Sequence, residues 1–120
     1  KLNQELKLVE LLPYGIIITD QNFNVVYWNE GAECLLGWKK EEAENRILHE
    51  LLDVDGNELR NLVGVEDTYV FYRKDGSRIR CEFKSAIFDE KLVFILRDIT
   101  SQFEKEKELE SYQEFFEQAQ

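Results

Sequence analysis

The chain has 120 residues, the length of one domain, and its 43% hydrophobic content with 8 Phe, 5 Tyr and 2 Trp is enough for a packed core. Fifteen basic against 25 acidic residues give a net charge of −10, which argues against a generic nucleic-acid or anionic-membrane surface. One histidine, His49, and two cysteines, Cys34 and Cys81, leave no disulfide framework, no zinc spacing and no multi-histidine site, so a self-contained hydrolase or metalloenzyme is not expected.

Residues 1–12 place Leu2, Leu6, Val9 and Leu12 at helical spacing, and Pro13 stops the helix. Residues 15–19 are a β-branched run, residues 20–22 carry turn chemistry, and residues 25–28 read as a second strand, so the two form a hairpin. From Glu30 the period becomes helical through Ala32, Leu35 and Leu36, with Gly37 as a C-cap. Two short helices are expected over residues 39–52, broken near Asn45, which tolerates the left-handed conformation. A loop follows over residues 53–57, then a helical turn or two over residues 58–63.

The last third reads as β. Residues 67–73 form a strand and residues 74–77 a hairpin turn with an Asp-Gly signal. In the strand over residues 78–88, Ile79, Cys81, Phe83, Ser85 and Ile87 alternate with charged residues, which sets a buried face and a wet face. A strand over residues 92–99 is apolar on both faces and therefore central. Residues 101–120 read as a helix that opens on a Ser101/Glu104 capping box. Its alternating Glu and Lys over residues 104–108 read as a solvated face. The order predicts an α+β domain, an antiparallel sheet with helices on one side. No apolar run approaches the roughly 18 residues of a membrane span, and no secretory signal is present.

GIIITD at 15–20, VVYWNEGAECLLGW at 25–38, KKEEAENRI at 39–47, RKDGSRIRCEF at 73–83 and LRDIT at 96–100 resemble, in this order and spacing, a PAS domain. PAS domains are sensor modules of bacterial and archaeal signalling proteins. The resemblance covers roughly residues 9–100; Glu30 and Asn45 stand where many members have proline and glycine. It implies a five-stranded antiparallel sheet with short helices on one face, over residues 13–100, flanked by the two terminal helices. Residues 113–120 are similar in pattern to residues 6–13, which suggests a chain cut from a tandem array, with Lys1 as an internal start and residues 101–120 leading into a next PAS domain.

The resemblance implies three sets of functional residues. Alternation puts Cys81, Phe83 and Ser85 inward, and the family register adds Ile17, Thr19, Val25, Tyr27, Leu48, Phe71, Phe94 and Leu96. Together with Asn29, these are the candidates for a small-molecule pocket, whose competing reading is a filled core. The opposite parity places Ile16, Ile18, Val26, Trp28, Val70, Tyr72, Val93 and Ile95 on an outer face, to be covered in part by Leu2, Leu6 and Val9 of the first helix and for the rest by a homodimer partner, the competing reading being full coverage by this chain's own helices. Asp98, Ile99 and Thr100 match the family's DIT exit, with Asp98 accepting backbone N–H groups or pairing with a cation.

Blue-light members carry a reactive cysteine where this chain has Leu48, and haem-binding members a histidine in the stretch 58–63, which has none. Cysteinyl-flavin and haem are therefore not expected; no cofactor is the leading expectation, with non-covalent flavin or another small molecule open. Both cysteines read as buried thiols and His49 as a surface residue. The segment itself is not expected to be an enzyme: a pocket isomerase would have only Tyr27 and Cys81 as acid or base. The expected setting is a cytoplasmic sensory module of a sensor histidine kinase or diguanylate cyclase. It would work beside flanking PAS and effector domains, without nucleic acid. The competing reading is a ligand-free dimerisation and relay module.

Overall fold

A computed structural model describes residues 14–100. The helices expected over residues 1–12 and 101–120 lie outside the described residues, with Leu2, Leu6 and Val9.

β1 (Gly15–Thr19) and β2 (Val25–Trp28) pair antiparallel. Asp20 builds their connection, its carboxylate accepting the Asn22 and Asn24 N–H groups at 2.9 and 3.0 Å. Within that polar turn Phe23 takes a left-handed φ of 67° and drives its ring into the core. Four short helices follow: α1 (Glu30–Leu36), α2 (Lys40–Ala43), α3 (Leu48–Leu51) and α4 (Gly56–Asn61). Gly37 ends α1 at φ 81°, and Asn45 at φ 67° separates α2 from α3. α4 starts two residues before the expected 58–63 turn because the Asp55 side chain caps it, accepting Asn57 and Glu58 N–H.

β3 (Glu66–Tyr72), β4 (Arg78–Phe88) and β5 (Lys91–Asp98) complete a five-stranded antiparallel sheet in the order β2-β1-β5-β4-β3. β5 is central, as its two apolar faces demand, and β2 and β3 are the edges. The helices pack on one face, where Leu36, Leu48, Leu52 and Leu59 meet Ile17, Phe71, Phe83, Phe94 and Leu96. Burying each such side chain contributes about 1.5–3 kcal/mol, and the summed gain offsets the entropy of ordering the chain.

Four placements depart from the sequence expectation, the first being Ile87, expected on the buried face of the strand over residues 78–88 and exposed where β4 and β5 near their turn. Trp28, assigned to the outer face, is fully buried in the core, and Tyr27, assigned inward, lies opposite Ile18 with the Lys40 Nζ 5.3 Å from its ring centre. The cause is a bulge: Ile17 pairs with Trp28 and Ile18 with Tyr27, but Thr19 pairs with Val25, so Val26 is the extra residue and parity inverts beyond it. Cys34 is exposed, because Ala32 and Leu36 set the buried stripe of α1 and Cys34 lies between them in sequence, off that stripe. His49 is half-buried, its ring edge-on to Phe23 at 5.7 Å and against Gly56, and its Nδ1 is buried without a hydrogen-bond partner.

Candidate functional site

Three places in the fold correspond to the three residue sets. On the inner face Ile17, Val25, Leu48, Phe71, Cys81, Phe83, Phe94 and Leu96 are all at most 3% exposed. The rings of Phe71 and Phe83 meet edge to face at 6.2 Å, and Phe23 lies 6.4 Å from Phe94. The polar members are each engaged by nearby backbone. Thr19 Oγ1 donates to the Asp20 carbonyl at 2.8 Å. Asn29 Oδ1 accepts the Ile16 and Ala32 N–H groups, both at 2.8 Å, and its Nδ2 donates to the Tyr14 carbonyl at 2.9 Å. Asn29 is thus the N-cap of α1 and its fastening to β1. Ser85 Oγ donates to the Leu62 carbonyl at 2.6 Å and accepts the Gly64 N–H at 2.9 Å, tying the α4–β3 loop to β4. Burial pushes the Cys81 thiol up to about 12, with the nearby Asp98 carboxylate adding to the effect, so this sulfur stays protonated and inert.

On the outer face Ile16 pairs with Ile95 and Ile18 with Val93 across β1 and β5. Val70, Tyr72 and Val93 are half-buried, Ile16 is buried, and Val26 and Ile95 are exposed. A groove of about 440 Å³ runs over this face, with Tyr14, Ile16 and Ile95 among its walls and Lys84 and Arg97 at its rim.

The end of β5 forms a polar joint. Asp98 Oδ1 accepts the Thr100 N–H at 2.9 Å, the Thr100 hydroxyl accepts the Arg80 N–H at 3.0 Å, and Ile99 N–H donates to the Arg80 carbonyl at 2.9 Å. The other Asp98 oxygen lies 4.0 Å from the Arg73 guanidinium. Arg73 itself donates from Nε to the Leu35 carbonyl at 3.0 Å, and Lys74 N–H donates to the Leu36 carbonyl at 2.9 Å. The β3–β4 turn thereby satisfies carbonyls at the α1 C-terminus that have no partner within the helix. Arg73 therefore stands between α1 and the residue that holds the exit of β5. Sequence reasoning missed it, because nothing in RKDGSRIR distinguishes this arginine from its exposed neighbours.

Among the described residues no helix is long and apolar enough to cross a membrane, and no three His, Cys, Asp or Glu side chains group as metal ligands. No curated protein matches the sequence. Solved structures share the fold. A PAS domain from Colwellia psychrerythraea is 24% identical with a TM-score of 0.71, over 83% of this chain and 98% of that one. A domain of a sensory box sensor histidine kinase/response regulator from Geobacter sulfurreducens is 20% identical with a TM-score of 0.68, over 80% and 92%. The PAS domain of the Cronobacter turicensis RpfR quorum-sensing receptor, solved in complex with BDSF, is 20% identical with a TM-score of 0.60, over 74% and 96%. The sequence pattern of the PAS domain family matches residues 13–101, from the residue before the first described one to just beyond the Asp98–Thr100 joint. The five-stranded sheet, its short inner helices and that match agree: this chain belongs to the PAS domain family.

Proposed function

We propose that this chain is the sensory and relay module of a multidomain signalling protein, and that it passes a change in the sheet or in α1 to residues 101–120 through Asp98, Ile99 and Thr100. One observation carries the reading: Arg73 hydrogen-bonds the α1 C-terminus and holds its guanidinium 4.0 Å from Asp98, and Asp98 accepts the Thr100 N–H. The Arg73 and Asp98 side chains are 30% and 40% exposed, so their attraction is worth under about 1 kcal/mol. The pair positions the exit strand rather than stabilising the domain. A contact this weak suits a relay between two arrangements of similar energy.

The geometry favours dimer-linked relay over pocket sensing. Thr19, Asn29 and Ser85, the polar anchors a ligand would use, are engaged by backbone, and the apolar inner set is buried. The apolar outer face, with its exposed Ile95 and Val26, suits a second copy. In this reading the chain carries no catalytic residue and no resident cofactor. The neighbour solved with BDSF keeps the ligand-sensing reading in view, and for this chain such a ligand would be apolar, entering between the Phe71, Phe83 and Phe94 rings.

A native mass spectrum separates the two. The relay reading expects a bare polypeptide at twice 14.3 kDa. A mass excess that vanishes on denaturation would establish a bound molecule and move the input to the inner face.

A further inference from the structure

β3 is an edge strand, and its outer side is open among the described strands. The direction of its backbone follows from one hydrogen bond: the Tyr72 N–H donates to the Leu52 carbonyl at 3.3 Å and so points away from β4. With the two-residue period of a strand, the N–H groups of Val70 and Thr68 point the same way. The Thr68 N–H is covered by Asp67 Oδ1 at 2.7 Å. The Val70 N–H faces a groove of about 560 Å³ that straddles the strand.

The two flanks of that groove have opposite charge. Asp53, Asp55 and Glu58 line the side toward α4, and Arg78 and Arg80 line the side on β4. The Tyr69 hydroxyl donates to Glu58 between them, which fixes the acidic flank against the strand. A strand added to β3 would alternate its own side chains between these flanks.

We propose that the open edge of β3 is a strand-addition site for an extended peptide segment with alternating cationic and anionic side chains. Its cationic face turns toward Asp53, Asp55 and Glu58, its anionic face toward Arg78, and its backbone accepts the Val70 N–H. Docking displaces the Asp67 carboxylate from Thr68, so Asp67 guards the edge when no segment is bound. The site lies apart from the Asp98 joint and does not depend on the relay reading.

The test is an amide NMR titration of the full chain with an end-capped peptide as long as β3, seven residues, in which lysine and glutamate alternate. One control holds lysines and glutamates in adjacent pairs. A second keeps the alternating order but carries N-methyl groups on the edge-facing amides. The expected result is resonance shifts centred on residues 66–70, slowed exchange of the Val70 amide, and about five- to tenfold weaker binding of both controls. Asp53→Asn and Arg78→Gln should each weaken the alternating peptide about two- to threefold without moving the spectrum of the unbound chain beyond their neighbours. Equal binding of all three peptides would reduce the site to ionic contact and overturn the proposal, as would no binding. Concentration-dependent protection of the Val70 amide without peptide would assign the edge to a second copy and overturn it too.

Discussion

The Trp28 indole N–H donates to the Trp38 carbonyl at 2.9 Å, which fixes the end of the bulged strand β2 to the chain just past α1. Trp38 in turn donates to the Leu51 carbonyl at 3.2 Å and has Arg46 and Lys74 over its ring at 4.9 and 5.3 Å. Replacing Trp28 by Phe keeps most of the ring but removes the donor and part of the volume. Trp28→Phe should lower stability by about 2–3 kcal/mol in urea unfolding, whereas Val26→Thr, on the exposed bulge, should change it by under about 0.5 kcal/mol. Equal effects at the two positions would contradict the bulge.

Asn29 and Gly31 clamp the start of α1 onto β1. Asn29→Ala leaves the buried Ile16 N–H without its acceptor and removes the helix cap, a loss of about 2–4 kcal/mol. Asn29→Asp keeps the acceptor but sets a carboxylate oxygen against the Tyr14 carbonyl in a fully buried site, so it should recover little of that loss. At Gly31 an added Cβ would lie 2.1 Å from the Tyr14 carbonyl oxygen, a clash with backbone that no rotamer relieves. Gly31→Ala should therefore cost more than about 3 kcal/mol, while Gly76→Ala, with φ +86° but open space, should cost about 1 kcal/mol. Thermal melts of the four variants check the ranking.

The cysteines should behave oppositely. Cys34 is exposed and Cys81 is buried, so a thiol reagent at neutral pH should modify Cys34 in the folded chain and reach Cys81 only on unfolding. The folded Cys81 pKa, pushed up to about 12, exceeds the ordinary value of 9.0. The folded state therefore holds this proton longer than the unfolded chain does. Stability from this group is intact below pH 9 and is lost as pH rises toward 12, at up to about 1.4 kcal/mol per pH unit. Cys81→Ala should flatten that part of the stability–pH curve, and an unchanged slope would contradict the assignment.

At acid pH the sign reverses. Hydrogen bonds hold the Asp20, Glu42 and Asp75 carboxyls below their ordinary values, chiefly from Asn24, Lys74 and Ser77 respectively. Their contribution is present above the usual carboxylate range and is lost as pH falls through the lowered pKa values. All three are solvent-facing, so raising the salt concentration should shrink the Glu42–Lys74 part first. NMR titration of the three carboxyls in low and high salt measures this.

The fold was legible because its signals are local. The Asp-Gly turn, the strict alternation from Arg78 to Lys84 and the left-handed Asn45 each leave a mark in the sequence, and the structure has the corresponding turn, strand and helix break. Face assignment failed where one extra residue intervened. No pattern in VVYW announces the bulge at Val26, and a single insertion inverts every later side chain of the strand. Phe23 was hidden for a related reason: a left-handed aromatic inside a polar turn has no periodicity to betray it. The polar pocket candidates could not be judged from the sequence either, because the hydrogen bonds that engage Asn29 and Ser85 come from backbone 13 to 23 positions away. Arg73 was missed because its partners, Leu35 and Asp98, meet only once the sheet is assembled.

The central claim is that Arg73 and Asp98 act as one joint between α1 and the exit of β5. Hydrogen exchange at the Thr100 amide, compared between the wild-type chain, Arg73→Gln, Asp98→Asn and the double variant, tests it most directly. The account predicts that each single change speeds Thr100 exchange by about three- to tenfold and that the double variant is no faster than the faster single one. Thr100 exchange that is indifferent to Arg73→Gln, or effects that simply multiply, would contradict the joint.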